Sequence, residues 1–297
     1  MGLKNEKYDQ IKTEQIKQVE LGGKDYPELL NYISDPPKKL YYTGDITLAS
    51  KPAIAVVGAR KATSYGKWAA YGFASKLSEY GVVVVSGMAY GIDSFAHKGA
   101  VENQGKTIAV LGCGVDICYP ESNKLLRENI LKDGLIISEY EPGVPPLPYR
   151  FPLRNRIISG LCIGTIIVEA SLSSGSLITA ECAAEQGRNI YALPGNINSM
   201  YSFGTNKLIK DGATPLTVFD DIIDELGIRR KSPSALKIKL GKDEKEIYEY
   251  ILQSGETTAD SICRSARKPP SEVNAIVTIL EMKGLLQTAI GKIFIAK

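Results

Sequence analysis

The sequence predicts an α/β protein with a doubly wound, mostly parallel sheet and a small second domain at the carboxyl end. Three observations predict it. Short β-branched runs bounded by glycine recur through the middle of the chain, helical patterns lie between them, and the composition changes after Gly227. Strand then helix, repeated, implies parallel strands joined by right-handed crossovers with helices on both faces.

The first run, AIAVVGAR at 53–60, has no polar alternation before its glycine and reads as a strand buried on both faces. VVVVSGMA at 82–89, TIAVLGCG at 107–114, GLIISEY at 134–140, GTIIVEAS at 164–171 and NIYALPG at 189–195 read the same way. The patterns YGKWAAYGFASKLSEYG and SGSLITAECAAEQG between them are helical and end at Gly81 and Gly187. Glycine there supplies the left-handed residue that commonly closes a helix. Ahead of the first strand, YPELLNYISDPPKKLYYTGD, with Tyr41 and Tyr42, is expected to add strand and loop to the sheet edge.

Composition narrows the function classes. The chain has 297 residues, 44% hydrophobic and 23% charged, which suits one sizeable core and one satellite. Its polar start, MGLKNEKYDQIKTEQIKQVE, is unlike a signal peptide, and no apolar run is long enough to span a membrane. A cytoplasmic protein without membrane contact is expected. The five cysteines, Cys113, Cys118, Cys162, Cys182 and Cys263, form no Cys-x-x-Cys pair, and His97 is the sole histidine. Free thiols and no zinc site follow. A net charge of +3 gives a weak overall field, so an anionic partner must be drawn by local clusters of Lys and Arg.

Those clusters coincide with the carboxyl ends of the strands, where sheets of this kind hold their ligands. The ends are small: Gly58-Ala59-Arg60, Ser86-Gly87, Gly112-Cys113-Gly114, Ser173 to Ser176 after Glu169, and Pro194-Gly195-Asn196. Glycine and serine let a phosphate approach unpaired N–H groups at helix starts, where the helix dipole is positive. Beside them RFPLRNRIISG, 150–160, groups Arg150, Arg154 and Arg156 around Phe151 and Asn155. A basic groove with an aromatic face is the chemistry of single-strand nucleic-acid binding. The competing reading packs Phe151 beneath the proline-rich loop and pairs Arg154 and Arg156 with Glu139 or Glu169.

Other ligands and reactions fit less well. GCGVDI has Ile117 where a dinucleotide fingerprint needs its third glycine, and no G-x-x-x-x-G-K-[ST] string occurs, so neither NAD nor ATP is expected as cofactor. SSGSL, 173–177, is not a hydrolase elbow. Asp93 and His97 share a helix face and could pair as acid and base, but a first-turn acid with His97 held by it or by the backbone accounts for both.

The motifs VGAR with SYG, SGMAYGID, TIAVLGCGVDICYP, ISEYEPG, FPLRNRIISGL, VEASLSSGSLITA, EQGRNIYALPG and GTNKLIKDGA, running in order from about Tyr26 to Phe219, resemble the DNA-processing protein A (DprA/Smf) family. The resemblance implies an extended Rossmann-like domain that binds single-stranded DNA without sequence preference. It also implies a role in natural transformation, protecting incoming strands, displacing single-strand-binding protein and loading the RecA recombinase, without catalytic turnover. Together the turns and the resemblance assign the strand-binding face to Gly58, Arg60, Ser86, Gly87, Tyr90, Arg150, Phe151, Arg154, Asn155, Arg156, Ser174, Gly175, Ser176, Gly195 and Lys207. Tyr90 stands where the family usually has a basic residue, and the N-terminal helical domain of many members is expected to be absent or reduced here. The resemblance implies a homodimer, for which Leu208, Ile209, Leu216 and Val218 are the candidate interface. The alternatives are a nucleotide-processing enzyme of the phosphoribohydrolase type, whose Pro-Gly-Gly turn is missing, and a sensor of a nucleotide signal.

Residues 1–228 are expected to form the Rossmann-like domain, with 1–50 as its N-terminal extension. The polar, basic IRRKSPSALKIKLGK marks a linker over 229–241. Helical EKEIYEYILQSG, TTADSICRSA and PPSEVNAIVTILEMKG followed by a hairpin predict a winged-helix domain over 242–297. Its third helix, with Glu272, Asn274 and Glu281, is too acidic for a duplex-reading helix, so a partner-binding or regulatory role is expected.

Overall fold

The computed structural model describes residues 16–227, 240–254, 256–283, 285–289 and 292–295, so most of the expected linker lies outside the described residues. The chain divides into two compact units, Met1–Arg229 and Arg230–Lys297.

The first unit is built on a nine-stranded sheet: β1 (Lys17–Glu20), β2 (Lys39–Gly44), β3 (Ala53–Val57), β4 (Val83–Ser86), β5 (Thr107–Leu111), β6 (Leu135–Ser138), β7 (Gly164–Ile167), β8 (Asn189–Ala192) and β9 (Thr214–Pro215), in the spatial order β1-β2-β6-β5-β4-β3-β7-β8-β9. β2 runs antiparallel to both neighbours, with Tyr42 opposite Ile137, and β3 to β9 are mutually parallel. The run containing Tyr41 and Tyr42 is therefore a sheet strand one place in from the edge. Among the described residues seven α-helices join it: α1 (Ser64–Glu79), α2 (Ile92–Glu102), α3 (Lys124–Asp133), α4 (Arg150–Gly160), α5 (Gly175–Glu185), α6 (Phe203–Lys210) and α7 (Asp221–Glu225).

Alternate residues of β3 enter different cores, as the pleat requires. Ile54 and Val56 pack with α1 and α2, while Ala53, Ala55 and Val57 pack with Ile157, Ile158 and Leu161 on the α4 side. Both faces are covered, which is why these strands read as unbroken apolar runs. The chain goes from β3 toward β4 on one side and returns to place β7 on the other, creating a topological switch point between β3 and β7. That is where an open α/β sheet leaves a crevice.

The second unit holds α8 (Lys242–Ser254), β10 (Glu256–Thr257), α9 (Ala259–Ala266), α10 (Pro270–Met282), β11 (Leu286–Ala289) and β12 (Lys292–Ile295). Its strands form an antiparallel sheet in the order β10-β12-β11. Ile247, Ile251, Ile262, Val273, Leu280, Leu286 and Ile293 make its core. Lys268 at the start of α10 is taken by Asp243 and Glu272.

His97 is not held by Asp93 or by the backbone. It is fully buried between α2 and β5, and its Nδ1 lies 2.7 Å from Thr107 Oγ1. That hydroxyl donates to Val84 O at 2.7 Å, so Nδ1 carries the hydrogen and donates. Burial, and secondarily the Arg154 charge, push the imidazole down to about 3 from 6.5.

Two predictions follow from this packing. Gly99 lies where α2 meets α1, and a Cβ there would overlap Tyr71 O and sit 3.0 Å from Ala74 Cβ. Gly99→Ala is expected to lose about 1 to 3 kcal/mol in urea unfolding, despite the roughly 1 kcal/mol helix-propensity gain of alanine. For His97, the unfolded chain takes up a proton near pH 6.5 that the native chain refuses until about 3, so this stability is complete above 6.5 and is lost as pH falls through that window. Between about pH 7.5 and about pH 4.5 the wild type should lose about 2 to 3 kcal/mol more than His97→Gln, and equal losses would show that His97 is not the group responsible.

Candidate nucleic-acid interface

A cleft of about 450 Å³ opens at the switch point. One wall is the turn after β3, where Ala59 N–H donates to Glu169 O at 2.8 Å. Gly58 is needed there, since a Cβ would stand 2.7 Å from Ile92 Cγ1 and 2.9 Å from Glu169 O. The opposite wall is the start of α5, where the Ser174 hydroxyl caps the Ser176 N–H at 3.4 Å and meets its hydroxyl at 2.8 Å. Asn155 in the middle of α4 donates to Gly175 O at 3.1 Å, tying α4 to the start of α5. Of the candidate site residues, Gly58, Arg60, Phe151, Arg154, Asn155, Ser174, Gly175 and Ser176 thus line one cleft.

Of the arginines, only Arg60 offers the cleft an exposed charge. Its guanidinium lies 5.2 Å from the centre of the half-buried Phe151 ring, which also stacks on Tyr119 with centroids 5.4 Å apart and planes at 24°. Gly112 leaves room for that ring, a Cβ there being 2.9 Å from Phe151 Cδ1. Arg60, Phe151 and Tyr119 form a continuous platform with the planar, polarisable faces that bases stack on.

The other three arginines correct the expectation of a free guanidinium cluster. Arg154 is 3% exposed and forms the floor of the cleft: it donates to Val110 O, and its guanidinium occupies the space a side chain at Gly87 would need. Burial pushes it down to about 10, opposed by the nearby Asp93 charge. Asp93 is itself raised by burial, partly offset by Arg154 and by the Gly87 and Ala89 N–H groups that it accepts at 3.1 and 3.4 Å. Arg156 makes a bidentate pair with Glu139 at 2.9 and 2.7 Å and reaches Asp35 at 2.9 Å, so its charge is neutralised. Arg150 donates to Pro145 O and lies over Tyr140, 4.9 Å from the ring centre. On a helix residue 156 lies nearly opposite residue 154, and residue 150 one turn before 154, so the linear cluster does not become one cluster in space.

Several other expected residues stand apart from the cleft. Ser86 is buried, with its hydroxyl on Val56 O at 2.7 Å. Tyr90 is 51% exposed on the loop before α2. Gly195 exchanges hydrogen bonds with the Asn206 amide at 3.1 and 2.9 Å, and Lys207 pairs with Asp211 at 3.5 Å. The four proposed interface residues do not form one surface. Leu216 is 2% exposed in the core on the α1 side, Leu208 packs into the core on the opposite face, Ile209 is half-buried and Val218 is exposed.

The cleft also uses residues that sequence reasoning passed over. Lys61, exposed beside Arg60, was legible as part of the same turn. Met200 and Tyr201 reach the cleft because Tyr201 O accepts the Ala170 N–H at 2.8 Å, a contact with no sequence signal. Among the described residues no group of His, Cys, Asp and Glu could hold a metal ion, and no helix is long and apolar enough to cross a membrane.

Known proteins of similar sequence and structure identify the family. The DNA processing protein DprA of Streptococcus pneumoniae is 46% identical over 200 residues, 67% of this chain and 71% of its own. DprA of Bacillus subtilis is 41% identical over 212 residues, 71% of each chain. The solved structure of the pneumococcal protein matches with a TM-score of 0.69 and 44% identity, covering 71% of this chain and 75% of that one. A solved structure of DNA processing protein A from Helicobacter pylori, described for its single-stranded DNA binding mode, matches with a TM-score of 0.65 and 34% identity, covering 71% of this chain and 95% of that one. The family model for DNA recombination-mediator protein A spans residues 17–227, and this chain belongs to that family.

Proposed function

We propose that the chain binds single-stranded DNA, without sequence preference, in the cleft between β3 and β7. The observation that carries this reading is the meeting, in one cleft, of an exposed Arg60, the Phe151 ring beneath its guanidinium and the serine-rich start of α5, with Tyr119 stacked on Phe151 beyond the cleft lining. Phosphates are met by Arg60, Lys61 and the positive end of α5, and bases by aromatic faces. The single-stranded DNA binding described for the Helicobacter pylori relative supports the same ligand. The protein then protects incoming strands in natural transformation and passes them to RecA in place of single-strand-binding protein, as a cytoplasmic homodimer without turnover. His97 is committed to Thr107 and Asp93 to backbone N–H groups, so neither supports an acid and base mechanism. The second unit, read as a winged helix, serves partner contact or regulation, because the cation at the start of α10 is already neutralised.

A titration of single-stranded and duplex DNA at several salt concentrations tests the cleft. Tighter single-strand binding that weakens with salt is expected, and equal affinity for both forms would overturn the reading. Arg60→Ala should weaken binding and flatten the salt slope by about 0.7 while leaving thermal stability unchanged. Arg154→Ala should instead destabilise the fold by about 2 to 4 kcal/mol, because it strands Asp93 and Val110 O in the interior. Tyr90→Ala distinguishes stacking from charge: if Tyr90 holds a base, affinity falls by about 1 to 3 kcal/mol with the slope unchanged, and no loss assigns it a structural role.

A further inference from the structure

We propose that α1 and α2 carry a second nucleic-acid subsite, centred on Phe95, Lys67 and Lys98, over which a bound single strand continues after it leaves the cleft. The proposal rests on the cleft reading above and extends it to a surface outside the cleft lining.

Phe95, on α2, is half-buried, and two ammonium groups sit over its ring: Lys67 Nζ from α1 at 5.7 Å and Lys98 Nζ from α2 at 5.0 Å from the centroid. Neither lysine has a carboxylate within ion-pair distance among the described residues, whereas Lys76, Lys106 and Lys207 in the same unit each have at least one. At 5.7 and 5.0 Å from one ring centre, the two ammonium groups are at most about 11 Å apart, roughly a Debye length, so they repel. The attraction of each to the ring holds them there, and an anion that approaches both relieves the repulsion. A phosphodiester chain supplies such anions in series and brings bases for the aromatic surface. An isolated inorganic anion would not use the ring.

The subsite adjoins the cleft mouth. Ile92 N–H, at the start of α2, donates to Ala59 O at 3.2 Å, and Gly91 packs so tightly on the Ala59 and Arg60 carbonyls that a Cβ would overlap both. Phe95 is three residues further along, about 4.5 Å of helix rise. Exposed Tyr90 lies at the junction, immediately before Gly91. A strand leaving Arg60 therefore meets an aromatic residue and then the paired lysines within one helical turn, a spacing that suits a flexible backbone.

The test compares oligothymidylates of about 5 and about 15 nucleotides, a range that brackets single-strand site sizes, on the full chain and on Lys67→Gln/Lys98→Gln. The expected result is an unchanged Kd for the short strand, which fits the cleft, and a weaker Kd for the long one with the salt slope flatter by about 1.4, two phosphate contacts at about 0.7 each. Lys67→Arg/Lys98→Arg, which keeps both charges, should restore the slope. An unaltered slope for the long strand overturns the subsite, and so does an equal loss for both lengths, which would place the lysines in the general field of the cleft. If wild type fails to bind either length, the cleft reading itself fails, and the subsite with it. Matching melting temperatures of wild type and variants show that the comparison is made on folded protein.

Discussion

The Glu169 carboxylate joins the two sides of the switch point, and the cleft depends on it. It follows β7, is 4% exposed, and accepts both the N–H and the hydroxyl of Thr63, the residue that caps α1. Its own carbonyl accepts the Ala59 N–H, so a single residue fixes the β3 turn, the start of α1 and the end of β7. Gly66 is forced by the same arrangement, because a Cβ there would overlap the carboxylate. A carboxylate at the first turn of a helix also complements the helix dipole. The edges of the crevice are thus held by charge-assisted hydrogen bonds made entirely within the protein, which pre-organises the opening for a ligand.

Arg154 plays the corresponding part beneath the cleft. A buried guanidinium is costly unless its field is compensated, and here Asp93 and the Val110 carbonyl supply the compensation. Asp93 in turn gathers the N–H groups of Gly87 and Ala89, which shapes the loop leading to Tyr90 and α2. A charge that looks like a ligand contact in the sequence acts through loop geometry, and the glycine at 87 follows from the volume of the arginine rather than from phosphate approach.

The fold was legible because its signals are redundant. Each parallel strand is an unbroken apolar run, each crossover helix ends in glycine or a polar stop, and the positions of Gly58, Ser174 and Phe151 follow once strand ends are known to face one side. What was not legible depends on contacts distant in sequence. Arg156 meets Glu139, the partner that the competing reading named, and also Asp35 across 121 residues, a contact with no local trace. His97 finds Thr107 on the neighbouring strand instead of Asp93 one turn away. Leu208 and Leu216 are close in sequence, but the chain between them crosses from one face of the sheet to the other, and a linear apolar patch becomes two separate core contacts.

These placements change how affinity must be divided between charge and stacking. With Arg154 buried, Arg156 paired and Arg150 set over Tyr140, the cleft keeps Arg60 and Lys61 as exposed cations. Two phosphate contacts release few counterions, on the order of 1.4 in salt slope on a single strand. If the strand lies in the cleft as proposed, stacking at about 1 to 3 kcal/mol per base outweighs charge there once salt is near physiological. Binding governed by π-faces is tolerant of sequence, since every base has one, while an oxyanion-rich but base-free ligand gains little. On the proposed reading the crevice selects unpaired strands through geometry, because only bases free of a duplex partner can be laid against an aromatic face such as Phe151 while the phosphates reach Arg60 and the start of α5.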